Sequence, residues 1–139
     1  MINVIMEDIV NIIICIEKNK GISFNNRRLS KDKKIIDDIV KNYDVVGNKY
    51  TQAMFEEYGL TIKEKKIKNA TKKDLYYFIE DDSINSIDCI NNLIIYDFNR
   101  NYPSDVKLII NLENFILIEE FKIEGTSHKE IIKKVYRSK

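Results

Sequence analysis

The sequence predicts a single α+β domain with N-terminal helices, a mainly antiparallel β-meander and a C-terminal helix. Apolar residues recur at helical spacing in the first part of the chain, and short segments rich in isoleucine and aromatic residues follow. A capped amphipathic segment comes last. The 139 residues fit one domain over 1–139, and a composition of 44% hydrophobic and 32% charged residues is typical of a globular protein.

The first part of the chain predicts three helices. Isoleucines repeat at intervals of a helical turn over residues 2–16, with Glu7 and Asp8 on the other side of that segment. A second helix begins near Ser30, whose hydroxyl can cap it, and carries an apolar stripe over residues 35–40. A third, shorter helix is predicted over residues 51–58, before a glycine.

The middle of the chain predicts strands joined by turns. Asparagine, proline and serine lie between the apolar segments, and connections this short favour hairpins over helical crossovers. The sheet is therefore expected to be mainly antiparallel. The strand-like segments are residues 75–79, 84–90, 93–98, 106–112 and 115–123, and the last helix is predicted over residues 126–136 with Thr126 or Ser127 as its cap.

Composition argues against several classes of function. With 23 Lys and Arg against 22 Asp and Glu, the formal charge of +1 favours neither nucleic acid nor an anionic membrane as a partner. No phosphate-binding loop or catalytic motif occurs, so neither a cofactor nor enzymatic activity is expected. The only histidine, His128, leaves a small hydrolase built on this residue and a carboxylate as one alternative.

The two cysteines and the N-terminus favour a reducing, cytoplasmic location. Cys15 and Cys89 both lie in apolar segments, where a free cysteine is usually a small buried side chain. The apolar run over residues 9–16 is too short to cross a membrane, and acidic residues precede it where a signal peptide would carry basic ones.

The order of the charges is more informative than their sum. Residues 63–73 carry six lysines and one glutamate, whereas residues 74–99 carry six acidic residues and neither lysine nor arginine. The acidic stretch is interleaved with aromatic residues, which suits a surface for a cationic protein, although an ordinary solvated face remains an equal alternative. The candidate contact residues are Tyr76, Tyr77, Glu80, Asp81, Asp82, Asp88 and Asp97.

Two alternatives use the same charged residues differently. The lysines of residues 63–73, together with Arg27 and Arg28, would suit an RNA-binding module, although few aromatic residues lie among them. The carboxylates of residues 80–82 could in principle hold a divalent cation, but a triplet beside a turn is more often a solvated loop. No metal site is therefore predicted.

Several short motifs resemble those of one bacterial family. They lie at residues 26–32, 48–51 with Phe55, 95–96, 99–105 and 125–128 with Ile131. They resemble the immunity proteins of contact-dependent growth inhibition systems, which neutralise ribonuclease toxins. The resemblance implies a cytoplasmic protein that binds a cognate toxin nuclease domain and blocks its active site or substrate channel without any turnover, contacting neither nucleic acid nor membrane.

Overall fold

The computed structural model describes residues 9–28 and 31–139, which form two helices and two sheets. A 3-10 turn lies at Ile67–Asn69, another at Asp82–Ser86 and a third at Leu112–Asn114. The elements in chain order are β1 (Val10–Ile16), β2 (Gly21–Phe24), β3 (Arg27–Arg28), α1 (Lys33–Asn42), β4 (Asp44–Gly47), α2 (Lys49–Glu57), β5 (Lys63–Glu64), β6 (Leu75–Phe78), β7 (Ile90–Asp97), β8 (Val106–Lys107), β9 (Phe115–Ile123) and β10 (Ile131–Ser138).

The larger sheet has seven strands in the order β5-β4-β6-β1-β7-β10-β9. Strand β1 lies near the centre and runs parallel to both of its neighbours, β6 and β7. Strands β4 and β5 continue the parallel part, whereas β10 is antiparallel to β7 and to β9. Strands β3, β2 and β8 form a small second sheet.

Apolar clusters cover both faces of the larger sheet. On one face, α1 and α2 bury Ile35, Ile39 and Phe55 against strand residues such as Ile13 and Ile94. On the other face, the segments that precede β7 and follow β8 cover a cluster of strand residues. That cluster includes Ile12, Ile14, Tyr77, Ile84, Leu93, Ile95 and Leu108.

The second and third predicted helices are confirmed as α1 and α2. The apolar stripe of α1 is buried as expected, but its N-cap is Asp32, whose side chain accepts a hydrogen bond from the backbone of Lys34. The predicted cap, Ser30, lies outside the described residues. Asn48 caps α2 in the same way through the backbone N–H of Thr51.

The predicted helix over residues 2–16 is wrong for the residues that the structure describes. Residues 10–16 form strand β1, and residues 2–8 lie outside the described part of the chain. A strand between two parallel neighbours is covered on both faces and therefore reads as a continuous apolar run, which periodicity alone does not distinguish from a buried helix. The β-branched isoleucines of this run favour the strand.

The predicted C-terminal helix is also wrong, because residues 131–138 form strand β10. Ile131, Lys133 and Val135 share one face of that strand, and Lys133 is only 3% exposed because it donates a hydrogen bond to Asp38 at 2.8 Å. A lysine at a buried position hides the two-residue alternation of a strand and leaves an apparent helical pattern.

The predicted antiparallel meander is wrong as a fold class, because the sheet is mixed and its central strands are parallel. Helices α1 and α2 occupy crossovers between parallel strands, and residues 79–89 cross from β6 to β7 past β1. The expected turn at Asn91 and Asn92 lies inside β7, and the segment 106–112 is a strand only at its first two residues. The segment 115–123 is confirmed as β9.

Candidate functional site

The topology points to one region of the molecule as a site. The chain leaves β1 for β4 on one side, returns to β6 beside β1, and then crosses to β7 on the other side. In open α/β sheets, ligands bind beyond the carboxyl ends of the strands at such a switch point. The region beyond Ile16, Phe78 and Asp97, called the carboxyl-edge crevice below, is therefore the candidate site.

The base of this crevice is nearly filled by protein atoms, whereas an open cleft of about 310 Å³ lies beside it, next to Asn48, Glu80 and Asp81. The cavity at its base has a volume of about 20 Å³. A cavity of this size holds about one water molecule, whereas pockets for small ligands occupy roughly 300–1,000 Å³. Its lining residues are Cys15, Ile22, Arg28, Lys31, Asp32, Ile35, Ile36, Met54, Phe78, Glu80 and Phe98.

An ion pair between Arg28 and Glu80 closes one side of the crevice. The Arg28 guanidinium donates two hydrogen bonds to the Glu80 carboxylate, from Nε at 2.5 Å and from Nη2 at 3.0 Å. Thr51 Oγ1 donates a further bond to Glu80 at 2.7 Å, and the guanidinium lies 4.0 Å from the ring centroid of Tyr50. Burial favours the neutral form of Arg28, but the hydrogen bond and charge of Glu80 outweigh it and raise the pKa of the guanidinium.

Asp32 also lines the cavity, and its carboxylate accepts hydrogen bonds at both oxygens. Oδ1 accepts bonds from the backbone N–H groups of Lys34 and Thr126 at 2.9 and 3.0 Å. Oδ2 accepts bonds from the backbone N–H groups of Ser127 and His128 at 2.9 and 3.1 Å. Burial would raise the pKa of Asp32, but these hydrogen bonds outweigh it and hold the pKa well below its usual range.

His128 belongs to the same network. Its Nδ1 lies 3.3 Å from Asp32 Oδ2, its Nε2 lies 2.9 Å from Tyr102 Oη, and its ring stacks on Phe98 with centroids 4.4 Å apart. The residue is 1% exposed, so both ring nitrogens face protein atoms. The predicted cap of a final helix is therefore replaced by a buried junction between α1 and the segment before β10.

A third buried carboxylate at this edge is also fully engaged. Glu17, directly after β1, is 0% exposed and accepts bonds from the backbone N–H groups of Gly21 at 2.8 Å and Tyr102 at 3.1 Å. The protein itself therefore supplies hydrogen-bond donors to all three carboxylates, those of Glu17, Asp32 and Glu80. Within residues 9–28 and 31–139, no group of three or more metal-binding side chains occurs.

The structure does not bring the seven candidate contact residues together. Asp81 and Asp82 are exposed just beyond the carboxyl end of β6, where Asp81 accepts a bond from the backbone of Ser83. Tyr76 and Tyr77 alternate on opposite faces of β6 and belong to different apolar clusters. Glu80 pairs with Arg28, and Asp88 and Asp97 lie near opposite ends of β7.

The basic stretch over residues 63–73 lies on the opposite flank of the sheet from β9. It begins with β5, and Lys63, Lys65 and Lys72 line a surface cleft together with Asp44 and Asp74. Arg28 does not extend this basic surface, because its charge is paired with Glu80. The cationic surface expected for an RNA-binding module is therefore divided and partly neutralised.

The sequence contains only partial signals for the residues that build the crevice. Asp32 was visible as an acidic residue in the first turn of a helix, and Arg28 as part of a basic pair. Their partners lie far along the chain, since Asp32 contacts Thr126 across 94 positions and Arg28 contacts Glu80 across 52. No short spacing in the sequence encodes either contact.

Comparison with known proteins shows the fold. The chain is similar to dihydrofolate reductase from Enterococcus faecalis, solved in complex with NADP(H) and RAB-propyl, with a TM-score of 0.65 and 9% sequence identity. The match covers 95% of this chain and 97% of that one. No protein-family model matches the chain, and no curated protein matches its sequence. The protein therefore has a dihydrofolate reductase-like α/β fold.

This comparison overturns the expected resemblance to immunity proteins of contact-dependent growth inhibition. The similarity to a reductase extends over nearly the whole chain, including the parallel centre of the sheet. The interpretation as an inhibitor of a ribonuclease toxin is therefore wrong, and the fold lends no support to the RNA-binding alternative. No helix in the described part of the chain has the length and apolar character needed to cross a membrane.

Proposed function

We propose that this protein is a non-catalytic protein-binding module built on a reductase-type scaffold. The filled base of the carboxyl-edge crevice is the observation that carries the proposal. The Arg28–Glu80 pair and the Asp32 network leave about 20 Å³ where a small ligand would need an order of magnitude more space. A substrate would have to displace two nearly buried charges that pair with each other.

The charge at this edge also argues against a dinucleotide. Pyrophosphate groups are held by glycine-rich turns and by the N–H groups at a helix N-terminus. Residues 79–82, which follow β6, contain no glycine and carry the carboxylates of Glu80, Asp81 and Asp82. The exposed carboxylates of Asp81 and Asp82 would repel the NADP(H) with which the Enterococcus faecalis reductase was solved.

Asp32 and Cys15, which line the base of the crevice, are not suited to acid–base or nucleophilic chemistry. A catalytic acid needs a pKa near the working pH and a path to the substrate. The low pKa of Asp32 keeps its carboxylate ionised, and its oxygens already accept bonds from the backbone of residues 126–128. Cys15 is no nucleophile either, because burial, followed by the charge of Glu80, raises the pKa of its thiol far above its usual range.

The exposed apolar side chains support binding to another protein. Large apolar residues that are more than two-fifths exposed lie mainly on β9, away from the crevice. Such residues mark interaction surfaces when they cluster. They are Ile116, Leu117, Ile118 and Phe121 on β9, with Phe24, Tyr50 and Ile109 elsewhere.

Ligand titration tests the proposal. NADPH and dihydrofolate are each titrated into the purified protein by calorimetry, and NADPH oxidation is followed by absorbance with both present. The Enterococcus faecalis reductase serves as the positive control. We expect neither saturable heat nor oxidation above the rate without protein. Saturable binding of either compound, or turnover, would contradict a non-catalytic role.

We also propose a reducing, cytoplasmic location, supported by two free and partly buried cysteines, Cys15 and Cys89. Fractionation of cells that express the tagged protein tests this location. Recovery in a secreted or periplasmic fraction would contradict it.

A further inference from the structure

Strand β9 forms one edge of the large sheet. Among residues 9–28 and 31–139 it pairs with β10 on one side only, so its other side presents unpaired N–H and C=O groups. Natural proteins usually shorten, cover or interrupt such edges, because an exposed strand recruits another strand. The opposite edge strand, β5, has two residues, whereas β9 has nine. The long edge is therefore the one that can accept a partner strand.

A β-bulge at Ile118 limits which part of this edge can pair. Glu119 lies opposite Val135 and Leu117 lies opposite Tyr136, so Ile118 is the extra residue. The bulge reverses the alternation of side chains along β9. Glu119 shares the face of Val135, which is the α1 side of the sheet, whereas Leu117 shares the face of Tyr136, which is the other side. If the pairing with a partner strand extended across the bulge, side chains that lie on opposite faces of the sheet would have to be paired directly. Only residues 119–123 form a regular ladder beyond it.

We propose that residues 119–123 of β9 pair antiparallel with the same residues of a second copy, about a two-fold axis at Phe121. This inference rests on the proposed function in taking β9 as the binding surface, and it names the partner. Such an axis runs perpendicular to the sheet, so each residue of one copy and its equivalent in the second copy lie on the same face. Directly opposed residues must share a face, so the axis has to pass beside a residue.

Charge complementarity, together with a position at the middle of the ladder over residues 119–123, selects Phe121 as that residue. An axis at Glu119 or Glu120 would oppose two identical carboxylates, and an axis at Lys122 would oppose two ammonium groups. An axis at Phe121 places Glu120 opposite Lys122 of the second copy, and this pair occurs twice by symmetry. Opposite charges in directly facing positions stabilise a sheet, and like charges destabilise it.

The other face of the same ladder brings the two Phe121 rings together. Phe121 is 42% exposed, and its ring centroid lies 5.3 Å from the Lys133 ammonium. Aromatic pairs across neighbouring strands add to the stability of a sheet. The existing pair of Lys122 with Glu130 at 3.6 Å does not compete strongly, because its side chains are 74% and 61% exposed.

A charge-swap series measured by analytical ultracentrifugation tests both the dimer and its register. Wild type is expected to form dimers as its concentration rises. Glu120→Lys and Lys122→Glu should each raise the dissociation constant by roughly tenfold, because each turns two attractive pairs into two repulsive ones. The double variant should recover wild-type affinity. Glu56→Lys and Lys68→Glu, at exposed positions away from β9, make the same charge changes and should have no effect.

Each possible outcome decides between the alternatives. A wild type that stays monomeric at every concentration overturns the self-association and leaves the proposed function to be judged by the ligand titration. A dimer in which the double variant is as weak as the single variants overturns the register at Phe121. Saturable binding in the crevice would overturn the proposed function but not the dimer.

Discussion

The carboxyl-edge crevice and the β9 edge differ in how far their polar groups are satisfied. In the crevice, Glu17, Asp32 and Glu80 all accept hydrogen bonds from the protein itself, and the remaining space holds about one water. At the β9 edge, a row of backbone groups and four large apolar side chains remain available. The base of the region that the topology marks for ligands is thus closed, whereas the sheet edge can still form backbone hydrogen bonds.

This difference means that substitutions in the two regions should have opposite consequences. A residue in the crevice that loses its partner leaves a buried charge or buried backbone groups, which lowers the free energy of unfolding. A residue on β9 faces solvent and should affect association more than folding. The largest effects on stability are therefore expected in the crevice and the smallest at the β9 edge.

Replacing Asp32 with alanine should have the largest effect on stability. The change leaves the backbone N–H groups of residues 126–128, of which that of His128 is buried, without this acceptor and removes the N-cap of α1. We expect the free energy of unfolding in urea to fall by about 3–5 kcal/mol. Asp37→Ala, at an exposed helical pair with Lys33, is the matched control and should cost under about 0.5 kcal/mol. Equal effects of the two changes would contradict the proposed role of Asp32.

The low pKa of Asp32 also predicts how stability depends on pH. Its pKa is lower in the folded than in the unfolded state, so its contribution is present above the unfolded value of about 3.9. The contribution is lost as the pH falls below that value towards the folded pKa. The free energy of unfolding should therefore fall less steeply between about pH 6 and pH 2 for Asp32→Asn than for wild type. Parallel pH profiles would show that Asp32 does not carry this dependence.

The sequence predicted part of the local structure and little of the long-range structure. Helix α1 was predictable because Ile35, Ile36 and Ile39 repeat at helical spacing, and β9 because its residues have strong β-propensity. The parallel centre was not predictable from spacing, because the crossover from β6 to β7 uses only residues 79–89 with one short 3-10 turn. Strand order depends on contacts between distant segments, which periodicity does not report.

The candidate site was less predictable than the fold, for a related reason. Lys133 looks like a solvent-facing residue until Asp38, 95 positions away, is placed beside its ammonium group. Glu80 looks like part of an acidic stretch until Arg28 is placed beside it. A charged residue that is paired across the fold has the same sequence signature as one that faces water. The sequence therefore overestimated the acidic surface and the basic surface alike.

The Arg28–Glu80 pair should behave as a buried ion pair whose partners depend on each other. The Glu80 side chain is 9% exposed, and Arg28→Met leaves its carboxylate with Thr51 as its remaining side-chain partner. We expect the free energy of unfolding to fall by about 2–4 kcal/mol. The double variant Arg28→Met and Glu80→Met should regain most of that loss, because two apolar side chains replace both charges. The measurement is a double-mutant cycle by urea unfolding.

The exposed pair of Lys31 and Glu57 is the control for this cycle. Its side chains are 38% and 57% exposed, so Lys31→Met should cost at most about 1 kcal/mol. If the losses from Arg28→Met and Glu80→Met simply add in the double variant, the two residues do not act as a pair. The crevice would then be closed by packing alone, and the contrast with the β9 edge would rest on Asp32.

The smallest effect on folding is expected at Ile118, the bulged residue of β9. Its side chain is 44% exposed, so Ile118→Lys should change the free energy of unfolding by under about 0.5 kcal/mol at concentrations where the protein is monomeric. The same replacement at Ile36, which is 2% exposed beside the crevice, should prevent stable folding because it buries an unpaired ammonium group. A loss above about 2 kcal/mol for Ile118→Lys would place β9 within the packed core, since surface substitutions rarely cost so much. The edge would then no longer be available to a second copy.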